Sequence, residues 1–272
     1  RRSAGPHHPV QAPGLRARGR GVQAVRSINM RELPDNLVST HRFEENNRAE
    51  SLRLISNNSG NCLHLKMSEQ AMNLADLFRQ LEMNDENIRA VQLLGIRVFN
   101  SFAASIKLCL SGYYQTSVYV LRDIMETTFL IDLFNKDRSL IEMWRNADDK
   151  TRKREFSPDA VRKKLDKRDG YTTKKRKLKY DLFSQLASHP TNILDYLLHP
   201  EKNGDAMIGP FVSKQKLDAI LFEIGQMAVE FGIHFRSFFP NNWSEGCAAR
   251  HSFHAVSTEW IHTFRPHVLT IK

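Results

Sequence analysis

The sequence predicts an all-α fold, an antiparallel helical bundle, on three observations. Apolar residues recur three and four positions apart over long stretches, and helix start and stop residues bracket those stretches. No convincing alternating strand, Asn-Gly hairpin or fixed-period repeat interrupts them. Taken in order, the first stripe is Ala71, Leu74, Ala75, Phe78 and Leu81, behind an N-cap candidate at Ser68. Asn84 and Asp85 open a second helix, whose face of Ile88, Val91, Leu94, Val98, Phe102, Ile106 and Leu110 runs for about seven turns. Gly112 stops it, since glycine takes the left-handed conformation that ends helices. A third helix covers residues 114–134. It carries Val118, Leu121, Met125, Thr128 and Asp132 on one side and Arg122, Glu126, Phe129 and Leu133 on the next. So tight a connection at Gly112 predicts an antiparallel hairpin.

A short helix at 139–146 follows, with Leu140, Ile141 and Trp144. Ser157-Pro158 is an N-cap followed by the residue best tolerated at the first helical position, and Gly170 closes that helix, which has only Val161 and Leu165 to bury. Another starts at Thr172 or Thr173 and runs through Leu178, Leu182, Phe183 and Leu186 to Ser188, where Pro190 ends it. Residues 190–210 are punctuated by Pro and Gly, with one short helix at 193–198. Ser213 then opens the clearest helix: Leu217, Ile220, Leu221, Ile224, Met227, Phe231, Phe235 and Phe238 share a face until Pro240. A last helix covers 245–264. Residues 30–67 show no well-defined element, which places the helical domain at 68–272, with a basic helical hairpin at 150–179.

Composition narrows the class. With 41% hydrophobic residues in 272, and only 13 Gly and 10 Pro, the chain has the material for a core and is neither disordered throughout nor collagen-like. Cys62, Cys109 and Cys247 are far apart and form no C-x-x-C pair. That argues against a disulfide framework or a thiolate zinc site, and for a reducing, cytoplasmic location. The longest charge-free run in the body of the chain, residues 108–121, is 14 residues long and short of a bilayer span, so no membrane partner is expected.

The formal charge of +10 is unevenly distributed. Residues 1–29 hold six Arg and no acid, and residues 150–179 hold 14 basic against four acidic residues, which leaves the rest of the chain net acidic. The 1–29 tail, with Arg1, Arg2, Arg16, Arg18, Arg20 and Arg26 among Gly, Ala and Pro, has no apolar periodicity and is expected to be disordered. Three readings compete for it: sequence upstream of a start at Met30, a nucleic-acid-binding arm, or a targeting segment. Pro6, Pro9 and Pro13 and the scarcity of hydroxyl residues speak against the last. The first is preferred, so no function is rested on the tail.

Four constellations could carry chemistry. The segment 150–179 offers Arg162, Lys163, Lys164, Lys167, Arg168, Lys174, Lys175, Arg176 and Lys177 as phosphate contacts, because clustered cations gain affinity by releasing counterions from a polyanion. Tyr171 and Tyr180 could stack on bases. The plainer reading is a charged hairpin facing water. Arg122 and Glu126, one turn apart among large apolar residues, read first as a structural ion pair and second as catalytic groups. Tyr180, Ser184 and Ser188 repeat every four residues toward His189 at a helix end, where the dipole favours a protonated imidazole. A helix cap explains that histidine equally well. Finally, Glu230-x-x-x-His234, Arg250-His251-x-x-His254 and Glu259-x-x-His262 supply only one Glu-x-x-His, short of a bundle di-iron set. No Walker loop, dinucleotide fingerprint, H-E-x-x-H or G-x-S-x-G is present, so neither a metal nor a cofactor is expected.

Three pieces of the chain share a family likeness. They are Ser111-Gly112-Tyr113-Tyr114 leading into Val120-Leu121-Arg122-Asp123-Ile124-Met125-Glu126, a basic variable connection, and Tyr180 through Ser188-His189-Pro190. Together they resemble the HEPN-like group of prokaryotic helical domains, over less than a third of the chain. The resemblance implies a helical bundle, often a homodimer, whose active members are metal-independent ribonucleases acting as toxins or phage-defence effectors. It makes Arg122, Glu126, Tyr180, Ser188 and His189 the candidate catalytic set and RNA the expected partner. The family signature, an Arg separated from a His by four to six residues on one helix, is missing: the corresponding positions before His189 hold Leu182, Phe183 and Ser184. Cleavage would therefore need Arg122 from the neighbouring helix to stabilise the phosphorane, with His189 as general acid or base. The alternative is a non-catalytic nucleic-acid-binding or protein-interaction module in which the same groups form a polar network.

Overall fold

A computed structural model describes residues 34–172, 175–188, 194–201 and 204–266, and of residues 187, 188, 194 and 195 the backbone alone. The 1–29 tail lies outside that range. The chain divides into two units, one ending at Val38 and one beginning at Ser39. Of the first, Pro34–Val38 are described and open a helix; everything below concerns the second.

The described residues are helical and contain no strand, which establishes the all-α bundle. The elements are α1 (Asp35–Ser56), α2 (Ser59–Phe78), α3 (Glu86–Ser111), α4 (Tyr114–Lys136), α5 (Ser139–Arg145), α6 (Asp149–Glu155), α7 (Pro158–Arg168) and α8 (Lys175–Phe183). A π-helical turn (Ser184–Ser188) extends α8, and α9 (Leu194–Leu198), α10 (Lys214–Phe235), a 3-10 turn (Arg236–Phe238) and α11 (Ser244–Phe264) complete the chain.

Two expectations need correction. Residues 30–67, without a clear element in the sequence, hold all of α1 and the start of α2, so a boundary at 68 would cut a helix. Ser68 is not a cap: it is fully buried in the middle of α2, its hydroxyl donating to the His64 carbonyl one turn back at 2.9 Å. That back-bond satisfies a mid-helix serine without breaking the helix. The real cap is Asn58, whose side chain accepts from the backbone N–H groups of Gly60 and Asn61. Elsewhere the terminal residues act as expected. The Asp85 carboxylate caps α3, Ser157 caps α7 ahead of Pro158, and Gly112 ends α3 at φ +92°. A Cβ on Gly112 would also stand 2.4 Å from the Phe211 carbonyl oxygen, so the turn demands glycine on two counts.

The α3–α4 hairpin is antiparallel, as its cross-contacts show. Ser105 meets Ser117 at 2.9 Å, Ser101 meets Asp123 at 2.9 Å, and Arg97 pairs with the same Asp123, so positions rise on one helix as they fall on the other. α10 lies against α2, α3 and α4, and α11 against α2. Between them sit Phe78, Phe102, Phe231, Phe235 and Phe253, all fully buried. Close approach depends on glycines: a Cβ on Gly95 would stand 2.6 Å from the Phe235 ring and one on Gly232 2.0 Å from Phe253. Among the described residues α3 alone is long and apolar enough to cross a membrane, but its Val91, Leu94, Val98, Phe102 and Cys109 are buried in this core. Against the outer side of α4 pack α5, α7, α8, the π-helical turn and α9. That outer layer carries the candidate site.

Candidate nucleic-acid interface

Local sequence accounts for how the basic segment folds. Asp148 caps α6 through the Thr151 N–H, Ser157 caps α7, and Gly170, at φ +66°, turns the chain as the Tyr171 N–H donates to the Asp166 carbonyl. Phe156, Val161, Leu165 and Phe183 are buried here, while Tyr171, Leu178 and Leu182 stay exposed. Everything else that fastens the segment is polar.

Its centre is Asp132 of α4, a carboxylate 3% exposed. Arg168 of α7 grips both oxygens at 2.8 and 3.0 Å, Arg176 of α8 stands 3.9 Å away, and His234 of α10 brings Nδ1 to 3.3 Å. Arg168 also bonds both oxygens of Asp169, while Arg176 bonds Asp166 at 2.8 Å and Asp169. The hydrogen bond from Arg168 holds the Asp169 carboxyl down at about 2, with Arg176 adding to the effect. His234 is lowered from its ordinary value, because burial outweighs the pull of Asp132. Four helices thus meet on one buried carboxylate. Bidentate guanidinium–carboxylate pairs are the strongest of ion-pair geometries and set orientation as well as energy.

This reassigns several expected phosphate contacts. Arg168 and Arg176 are turned inward, and Arg162 is buried at 6% exposure, its guanidinium stacked 3.8 Å over the Tyr180 ring with Nε and Nη1 lacking hydrogen bonds. Lys164 folds onto the Glu155 carboxylate at 2.7 Å and onto its carbonyl. Lys163 pairs with Asp159 and Lys177 with Asp181 at the surface. Lys167 and Lys175 have no carboxylate partner among the described residues, nor do Lys150 and Lys153, and all four are exposed. Lys174 lies outside the described residues.

The proposed catalytic set is partly assembled. Arg122 donates from Nε to Glu126 at 2.9 Å and from Nη2 to the Tyr180 phenol, over whose ring it also lies at 4.7 Å. Arg122 and Arg162 thus both contact Tyr180. His189 and the Ser188 side chain lie outside the described residues. Arg122 and Glu126 line an open cleft of about 520 Å³ between α3 and α4, with Arg97, Ser101, Asp123 and the exposed Tyr119.

The sequence reading missed the Asp132 cluster. Its signal was an aspartate on an otherwise apolar helix face beside Thr128. The likewise unforeseen α6 had a capping Asp148 as its cue. In the C-terminal histidine group, His234 faces Asp132 and His251 bonds the Cys247 carbonyl at 2.9 Å.

Fold and site together define an all-helical bundle with an ion-paired basic layer on the outside of α4. Compared with known proteins, the chain matches no family model, no curated protein and no solved structure.

Proposed function

We propose that this protein is a helical RNA-binding module whose contact surface is the outer side of α6, α7 and α8. The observation that carries the reading is the set of exposed, carboxylate-free lysines Lys150, Lys153, Lys167 and Lys175, spread over three successive helices. Exposed Arg152, Arg154, Lys163 and Lys177 stand among them, paired only at the surface, where ion pairs are weak and readily exchanged for phosphate. The inward arginines hold the helices in place so that the outward lysines keep a fixed spacing.

The test is a salt series of RNA affinity for the wild type and for a variant with Lys150, Lys153, Lys167 and Lys175 all changed to Gln. On a single strand the slope of log K against log salt falls by roughly 0.7 for each phosphate-contacting cation lost. Weaker binding and a flatter slope are expected for the variant; equal affinity and slope would remove the reading. A second reading, RNA cleavage, is favoured by one observation: Arg122 and Glu126 of α4 and Tyr180 of α8 meet at the edge of the cleft. Denaturing gels of the same mixtures separate the two, since binding alone leaves the RNA intact.

A further inference from the structure

Beside the basic layer lies a second hollow, of about 470 Å³, that no contact described so far fills. One wall is Phe129 and Leu130 of α4, another is Trp144 of α5, and the third is Phe156, Pro158 and Val161, where α6 gives way to α7. Trp144 and Phe156 both pack on the buried Phe134, with ring centroids 5.7 and 6.4 Å away, so the aromatic wall is held rigid from behind. The hollow is within the size range of small-ligand sites. Its surroundings differ chemically. At one end Arg97, Asp123 and Glu126 form a polar mouth shared with the neighbouring cleft. There Glu126 engages Arg122 through Oε1, and Asp123 takes Arg97 and the Ser101 hydroxyl. Behind the Phe156 wall, Lys164 Nζ stands 5.4 Å from the ring while bonded to Glu155, and the same two helices carry the exposed Lys153, without a carboxylate partner among the described residues, and Lys163, paired with Asp159 at the surface.

An aromatic-walled hollow between backbone-binding cations and hydrogen-bond acceptors matches the parts of a nucleotide in order: phosphate, base face, base edge. A base in a duplex keeps its face stacked and its edge paired, so only an unstacked base can enter. The acceptors select further. Glu126 Oε2 is the carboxylate oxygen at the mouth that no donor among the described residues takes, and it favours a base that presents an exocyclic amine, whereas uracil offers two carbonyls and a single N–H. We propose that this hollow is the subsite for one unstacked, amine-bearing base of single-stranded RNA, with the adjoining phosphates carried by α6 and α7. The proposal rests on the RNA-binding reading above.

The test uses the full chain with three RNA probes at one salt concentration: a ten-residue oligoadenylate, a ten-residue oligouridylate and the duplex of the two. Affinity is read by anisotropy and, in parallel, by quenching of tryptophan emission. Oligoadenylate is expected to bind about tenfold tighter than either of the others, the scale of one aromatic stacking contact. It is also expected to quench emission in the wild type and much less in Trp144→Phe, a conservative change that keeps an aromatic wall. Glu126→Gln, which replaces one acceptor by an amide, is expected to narrow the gap between oligoadenylate and oligouridylate. Equal affinity for all three probes, undiminished quenching in Trp144→Phe, or an unchanged gap in Glu126→Gln overturns the subsite while leaving RNA binding in place. No binding by any probe at low salt overturns both.

Discussion

The two sides of α4 are held by different physics. Toward α3 and α10 it contributes Leu121, Ile124 and Met125 to a core in which phenylalanines from four other helices interdigitate and glycines let backbones approach. Toward α7 and α8 it contributes Asp132, Arg122 and Glu126 to a layer held by guanidinium groups and by stacking on Tyr180. Burial of apolar surface is non-directional and insensitive to salt, and large-to-small changes in it cost several kcal/mol. Ion pairs are directional and weaken with exposure and ionic strength. A rigid bundle carrying a looser, charge-fastened layer is the expected result, and each half can be broken separately.

The largest effect should come from the core. Phe235 is fully buried and its ring stacks on Phe231 at 4.7 Å, meets Phe78 edge-on at 5.2 Å and covers Gly95. Phe235→Ala is expected to cost about 3–5 kcal/mol in urea unfolding, equally at low and high salt. A loss below about 1 kcal/mol would mean that this side of α4 is not the better packed one.

A polar group inside the core gives a contrast of the next size. His64 of α2, 3% exposed, accepts a 2.8 Å hydrogen bond at Nδ1 from the Trp260 indole N–H and stacks on Phe264 at 4.3 Å. Burial pushes it down to about 4, against an ordinary 6.5, with Asp218 pulling weakly the other way. Below pH 6.5 the unfolded chain takes up a proton here that the folded chain refuses until about 4. Stability is therefore lost as pH falls through that window, by up to about 3 kcal/mol. Replacing His64 by Gln, which can still accept from Trp260, should flatten the stability curve between pH 6.5 and 4; an equally steep curve would place the titrating group elsewhere.

The two halves also differ in how far a linear sequence discloses them. The core helices α3, α4 and α10 repeat their apolar residues at the helical period, because each faces a neighbour along its whole length, and Asp85 and Gly112 mark ends that local geometry alone requires. α1 escaped notice for the same reason in reverse: it buries few residues, among them Ser51 and Ile55, too sparse a stripe to read. In the basic layer, the balance of charge counted along 150–179 overstates the free cations, because Asp132, Asp181 and Glu230 from outside the segment add to the neutralising carboxylates within it. Arg162, Arg168 and Arg176 look like their exposed neighbours until tertiary structure turns them inward. Pairs one helical turn apart, such as Arg122 with Glu126, Asp159 with Lys163 and Lys177 with Asp181, announce themselves by spacing.

The smallest global effect, and the most local, should follow from loosening the outer layer at its centre. In Asp132→Asn the fork from Arg168 loses its charged acceptor. Removing one partner of a fully buried pair costs ~3–5 kcal/mol, but Arg168 keeps Asp169 and is 28% exposed, so roughly 1–2 kcal/mol is expected here. Because Arg168, Arg176 and His234 converge on Asp132 from three helices, the loss should fall mainly on the attachment of α7 and α8. Amide hydrogen exchange is the measurement that sees this. Exchange in residues 158–168 and 175–183 should rise while α2, α3 and α10 stay protected, as expected for a sub-global opening. If protection falls evenly over the molecule instead, Asp132 belongs to the same cooperative unit as the phenylalanine core, and the two sides of α4 are one structure.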